Sequence, residues 1–217
     1  MNLWHVLPAF RVVCDDLQMP TCFICLWRCE TACFSTFAPK VYQEYTTILQ
    51  QLHQNQPHLK PNFPNSIFPG ATFNLGPHSM CFLHRDVQNI PYGFCAITTA
   101  GSYDHQVGGH LVLWELGLVV EFPSGSTILI PSATISHCNT SIQSNETRYS
   151  MTQYCAGGLF RWVEFGFRTK KSLEKTAIGK VQIAQADATN GFRQKRVLGL
   201  FSKYEELVMD HKLVGSL

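Results

Sequence analysis

Residues 80–101 read MCFLHRDVQNIPYGFCAITTAG. The alternation of apolar and polar side chains has a period of two rather than 3.6. The breaker-rich NIPYG divides it, so the stretch predicts two strands, MCFLHRD and GFCAITTA. Side chains two apart on a strand project to one face, so His84 and Asp86 point together while Arg85 turns the other way. An imidazole and a carboxylate side by side are two thirds of a facial metal site, and they raise the question of where a third ligand would come from.

Working outward, the same pattern continues on both sides. ATFNLG upstream, and HLVLWEL, LVVEF, STILI, RYSMTQY and FRWVEFGF downstream, read as further strands separated by turn signals such as VGG and FPSGS. About eight short strands at this spacing predict an antiparallel sandwich or jelly roll, hence a mainly β (α+β) fold. Before the strands, Val41, Tyr42, Tyr45, Ile48, Leu49 and Leu52 recur at helical steps behind Pro39, which suits a first helical turn. The proline-rich stretch NQPHLKPNFPNSIFPG follows and must be loop. After Thr169 the chain reads as helical, with Val197, Leu200, Phe201, Tyr204, Leu207 and Val208 along one face. Three segments result: a cysteine-rich start over 1–36 expected to stand outside the fold, a β core with its leading helix over 37–169, and a helical extension over 170–217.

The bulk numbers exclude several classes. At 217 residues with 45% hydrophobic and 15% charged content, the chain can bury a sizeable core and is not a disordered tail. A net charge of +2 is too small to indicate nucleic acid by itself. No apolar run approaches the ~20 residues of a membrane span, so no membrane partner is expected. Nine cysteines, an odd number, together with the lack of a secretory signal, point to an intracellular location, nuclear or cytoplasmic. Cys22, Cys25, Cys29 and Cys33 are spaced so that thiolates could converge on a metal, but no second knuckle completes a structural zinc site. Cys81, Cys95, Cys138 and Cys155 read as reduced core cysteines.

The third ligand is found in IPSATISHCNT, where His137 follows the strand STILI. Two histidines and one carboxylate leave the opposite coordination positions open, the arrangement of non-haem Fe(II) oxygenases. Eleven residues later, Arg148 and Ser150 share one face of the strand RYSMTQY, a bidentate clamp plus a hydroxyl for a carboxylate. An open metal site beside a carboxylate clamp suits 2-oxoglutarate, whose C1 end would chelate the metal while its C5 carboxylate pairs with Arg148. Asn74 and Asn139 are further polar groups that could position cosubstrate or O2. His53, His58, His78, His105 and His211, the glycines Gly157 and Gly158, and the aromatic run Phe160, Trp162, Phe165 and Phe167 read as structural. His110 is left open, and Gly108-Gly109 reads as a loop that needs positive φ or as a close approach of backbone to the metal-facing sheet. Lys170, Lys171, Arg193, Lys195 and Arg196 read as a solvated helix face.

The order H-x-D, Gly-Gly strand, P-x-G-S turn and H-x10-R-x-S resembles the Fe(II)/2-oxoglutarate-dependent dioxygenases. Over residues 37–169 the chain is similar within that superfamily to a fungal TET/JBP-like group, and more distantly to the TET/JBP enzymes that oxidise 5-methylpyrimidines. The resemblance implies a double-stranded β-helix (jelly-roll) core with flanking N- and C-terminal helices. It makes His84, Asp86 and His137 the Fe(II) ligands and Arg148, Ser150 and Asn74 the 2-oxoglutarate residues, with O2 as co-reactant. It also implies DNA or RNA as substrate, although the large cysteine-rich zinc region of animal TET proteins is missing. The alternatives are a peptidyl or small-molecule hydroxylase, or a jelly-roll binding module without turnover.

Overall fold

The computed structural model describes residues 22–61, 63 and 66–215. Helical residues outnumber strand residues, so the fold is α+β with antiparallel sheets rather than mainly β. Two compact units result: one takes residues up to Thr31 together with Pro61–Cys155, the other Ala32–Lys60 together with Ala156–Leu217. The leading helix expected to accompany the β core therefore groups with the C-terminal helices.

The first unit holds seven strands: β1 (Gly70–Asn74), β2 (Cys95–Ser102), β3 (Leu111–Leu113), β4 (Leu118–Val120), β5 (Thr127–Ile130), β6 (His137–Asn139) and β7 (Thr147–Tyr154). They form a four-stranded sheet in the order β1-β7-β2-β5 and a three-stranded sheet in the order β4-β3-β6. Cys95, Ile97, Leu111, Leu113, Phe122 and Ile130 make one buried cluster drawn from strands of both sheets and the segment between β4 and β5. The alternation of β7 explains its place at the centre. Arg148, Ser150, Thr152 and Tyr154 line a cavity, while Gln153 on the opposite face meets Glu30 of helix α1 (Cys22–Phe37).

Glu30 is buried at 1% exposure. Its carboxyl is held by the Thr98 hydroxyl at 2.5 Å and by the Gln153 amide, and Thr98 in turn lies 2.6 Å from the Thr127 hydroxyl. Burial, the dominant influence, raises the Glu30 pKa, and the two hydrogen bonds oppose it. The cysteine-rich start thus divides. Residues 1–21 and the side chains of Cys22 and Cys25 lie outside the described residues, whereas Glu30 and Phe34 are buried. Cys29 is a free thiol.

The second unit is helical. Helix α2 (Pro39–Asn55) begins at Pro39 and buries Val41, Tyr45, Ile48 and Leu52, the face read from the sequence. The Tyr45 ring packs edge-on against Phe34 and against Phe160 of helix α3 (Gly157–Glu164). Helix α3 corrects the strand expected at FRWVEFGF. Gly157, Phe160 and Val163 are the buried positions, a three-residue step, and so short an apolar run carries either period. Helices α4 (Lys170–Leu173), α5 (Ala177–Ala188), α6 (Asn190–Leu198) and α7 (Leu207–Gly215) complete the unit. The single apolar face expected from Val197 to Val208 does not form. Helix α6 ends at Leu198, and Phe201, Tyr204 and Val208 are exposed.

No helix among the described residues is long and apolar enough to cross a membrane.

Candidate metal centre

MCFLHRD is not a strand. Of its residues only His84 pairs, in a single antiparallel bridge to His137 at the start of β6. The backbones exchange both bonds, His84 N to His137 O at 3.1 Å and His137 N to His84 O at 2.9 Å. One bridge suffices to set the two imidazoles together, with ring centroids 4.4 Å apart. Past His84 the chain turns. Asp86 N donates to Ser132 O at 2.9 Å, Asn89 N donates to Asp86 O at 2.8 Å, and the Asn89 amide reaches Asp86 Oδ2 at 3.3 Å. Asp86 Oδ1 comes to rest 3.6 Å from His84 Nε2.

Ligand atoms of His84, Asp86 and His137 all lie within 4.8 Å of one another, the one such group of three among the described residues. The hydrogen bonds behind the rings decide what these atoms can do. His84 Nδ1 sits 2.7 Å from Phe82 O, and His137 Nδ1 sits 3.0 Å from Ile135 O. A carbonyl only accepts, so each Nδ1 carries a hydrogen, and in the neutral ring that leaves the Nε2 lone pair for a metal. Two imidazole nitrogens and a carboxylate oxygen in this arrangement are a donor set that fits a divalent transition metal. Two ligands each about 2.1 Å from a common ion stand at most ~4.2 Å apart, and the His84 Nε2–Asp86 Oδ1 separation of 3.6 Å falls within that.

Behind the triad is a cavity of about 530 Å³. The predicted clamp lies in it. Arg148 and Ser150 are both buried and both line the cavity, as does Asn74, whose amide donates to the Ser150 hydroxyl at 2.9 Å. With its oxygen already accepting from Asn74, the Ser150 hydroxyl retains its own hydrogen to donate. Arg148 uses Nη1 on Ser79 O at 2.9 Å, while its buried Nε has no partner. Arg148 takes part in none of the ion pairs among the described residues. Burial lowers its pKa, and the neighbouring Tyr103 hydroxyl counters this. A buried guanidinium with an unmet donor and no carboxylate is poised for an anion from outside the chain.

Asn139 also lines the cavity, and its amide is engaged with backbone. Its Oδ1 accepts from Cys81 N at 2.8 Å and its amide donates to Thr140 O at 3.2 Å, which ties residues 79–81 to β6. Cys81 and Cys138, expected in the core, line the cavity. Cys95 and Cys155 do lie in the core, where burial pushes their thiols up to about 12.

Two further groups had no sequence signal. Tyr103 packs beside Gly109, where a Cβ would stand 2.8 Å from the tyrosine ring and 3.4 Å from Arg148 Cδ, and the φ of +71° suits glycine. On the outside of the site, Arg85 donates to the Ser136 hydroxyl at 2.8 Å and pairs with Glu115 at 2.8 Å. Glu115 also accepts from Ser136 N at 2.6 Å, and Ser136 is the main reason its carboxyl titrates low. That network braces the segments on either side of the ligands.

No family model and no curated protein matches the chain. Among solved structures, NgTET1 in complex with 5mC DNA is similar over 57% of this chain and 51% of its own, at 16% identity and a TM-score of 0.39. The chain thus spans about half the length of NgTET1. The viral collagen prolyl hydroxylase vCPH from Paramecium Bursaria Chlorella virus-1, in its 2OG complex, is similar over 51% of this chain and 70% of its own, at 12% identity and a TM-score of 0.30. Overlaps of this extent establish no shared activity.

Proposed function

We propose that the chain is an Fe(II)- and 2-oxoglutarate-dependent dioxygenase that hydroxylates a C–H bond. One observation carries this reading: the His84, Asp86 and His137 triad, with both Nδ1 atoms turned to backbone carbonyls, opens onto the cavity that holds the buried Arg148, which pairs with no carboxylate among the described residues. His84, Asp86 and His137 would hold the metal, leaving the positions opposite them for ligands. When bound, ferrous iron supplies O2 activation coupled to oxidative decarboxylation of 2-oxoglutarate, one oxygen atom going to succinate and the other to the substrate.

The protein's own part is binding and orientation. The Arg148 guanidinium and the Ser150 hydroxyl would receive the C5 carboxylate, and Asn74 holds Ser150 in place. Gly109 leaves room for the Tyr103 ring and the stem of Arg148, which a Cβ there would crowd. Ile97 and Leu111 line the cavity with apolar surface, which limits water around the clamp and strengthens it.

For the prime substrate, the sequence resemblance implies a 5-methylpyrimidine in nucleic acid, with a peptidyl or small-molecule substrate as the alternative. Taking a base out of a strand relies on phosphate contacts from lysine and arginine. Residues 61–155 contain no lysine and two arginines, Arg85 paired to Glu115 and Arg148 buried in the clamp. That distribution favours the alternative.

Anaerobic titration with Fe(II) followed by 2-oxoglutarate tests the reading. A weak visible metal-to-ligand band that needs both components, and succinate release on admitting O2, are expected. A protein that binds neither would be a binding module of another kind.

A further inference from the structure

We propose that the prime substrate is an apolar, uncharged polypeptide segment, docked on a platform of exposed hydrophobic side chains around the metal triad; this rests on the dioxygenase reading. All nine of the strongly exposed large hydrophobic residues described in the β unit fall between Met80 and Val119. Several of them flank the ligands. Phe82, 81% exposed, and Leu83 immediately precede His84, and Val87, 78% exposed, follows Asp86. Trp114 and Leu116 belong to a 3-10 turn, Trp114–Leu116, that is fastened to the same place. Trp114 N donates to Ser136 O at 2.9 Å, and Glu115 binds both Arg85 and Ser136, the neighbours of His84 and His137. The turn therefore presents Trp114, 64% exposed, and Leu116 beside the site.

Clustered apolar exposure of this kind marks an interaction surface. Its placement separates the possible occupants. Phe82, Leu83, Trp114 and Leu116 do not line the cavity, so the ligand they serve extends beyond what the cavity encloses. A phosphate polymer or an anionic bilayer needs cations at the contact. Here the acidic residues Asp86, Asp104, Glu115, Glu121 and Glu146 outnumber the two arginines over residues 61–155, and both arginines are engaged. An extended polypeptide meets the demand: it brings apolar and aromatic groups to the platform and one side chain to the cavity, without phosphate.

The test uses the full chain loaded with Mn(II), a redox-silent stand-in for iron, and 2-oxoglutarate. Binding is read by fluorescence anisotropy with three labelled probes: a neutral peptide rich in Leu, Phe and Pro, an acidic peptide of equal length, and a 5-methylcytosine oligonucleotide. The neutral peptide should bind best, with little change between about 50 and 200 mM salt. Trp114→Ala and Phe82→Ala should each weaken it about tenfold. Unchanged melting temperature and Mn(II) affinity in these variants would show that they fold. Tighter binding of the oligonucleotide, or peptide binding indifferent to both substitutions, would overturn the proposal. Loss of Mn(II) and 2-oxoglutarate binding in the wild-type chain would instead sink the dioxygenase reading, so the two failures are distinguishable.

Discussion

Arg148 is the residue whose environment makes the firmest demand. It is 3% exposed, it has an orphaned Nε, and it has no acidic partner among the described residues. Arg148→Ala is expected to weaken 2-oxoglutarate binding by about 2–5 kcal/mol, roughly thirtyfold or more, while Mn(II) affinity stays near the wild-type value. Isothermal titration with each ligand separately checks this; equal loss of both would place the guanidinium in the fold rather than in the clamp. Glu30 offers a second test at this scale, through pH. Its pKa is raised in the folded chain, chiefly by burial, so the native state keeps a proton that the unfolded chain gives up. Stability from this group is full below the ordinary carboxylate range, about pH 4, and falls as pH rises through the native value. Glu30→Gln should flatten that fall in urea midpoints measured across pH, because a neutral amide has no proton to lose.

At the scale of elements, the approach of β2 to β7 depends on Gly101. It pairs with Arg148 and has a φ of +125°, and a Cβ there would stand 2.2 Å from Thr147 O. Gly101→Ala therefore strains the backbone and clashes with backbone, which has little room to yield. We expect a loss of about 2–4 kcal/mol in chemical denaturation. Weaker 2-oxoglutarate binding should accompany it, since Arg148 sits at the register position that would move. The turn at Asp86 shows the same dependence on context. His84 and Asp86 face one way because one bridge to β6 and one hydrogen bond to Ser132 hold them, not because a strand alternates.

For the whole molecule, a candidate site assembled from a loop, β6 and β7 would couple metal binding to the fold of the β unit. Metal that binds only the native state should stabilise it by about 2.7 kcal/mol at a hundredfold excess over Kd. The melting temperature should rise with Mn(II), and Asp86→Asn, which takes the negative charge from the triad, should greatly reduce the rise. A rise that survives in Asp86→Asn would put the ion elsewhere. Charge also divides along the chain. Ala32–Lys60 with Ala156–Leu217 carries 13 basic and 7 acidic residues, whereas the β unit's segments are acidic, so the small net charge of +2 conceals two opposed balances.

Some of this was legible in the residues alone, because it depended on local chemistry. The period of Val41, Tyr45, Ile48 and Leu52 marked a helix, and the alternation of Arg148, Ser150 and Thr152 marked a strand whose one face became the cavity wall. His84, Asp86 and His137 stood out as candidates by type and spacing, and Arg148 with Ser150 by their shared face; the fold brings all five to one cavity. Other features needed the folded chain. FRWVEFGF suits a helix or a strand in isolation, and only the packing of Phe160 and Val163 chose the helix. MCFLHRD meets β6 at Cys81 and His84 but forms a bridge only at His84, so the period seen in it never became a strand. The tautomers of the two imidazoles, the orphaned guanidinium nitrogen and the brace through Glu115 and Ser136 join residues far apart in sequence. Periodicity is a property of neighbours along the chain, while hydrogen-bond satisfaction is a property of neighbours in space, and only the tertiary structure assigns those.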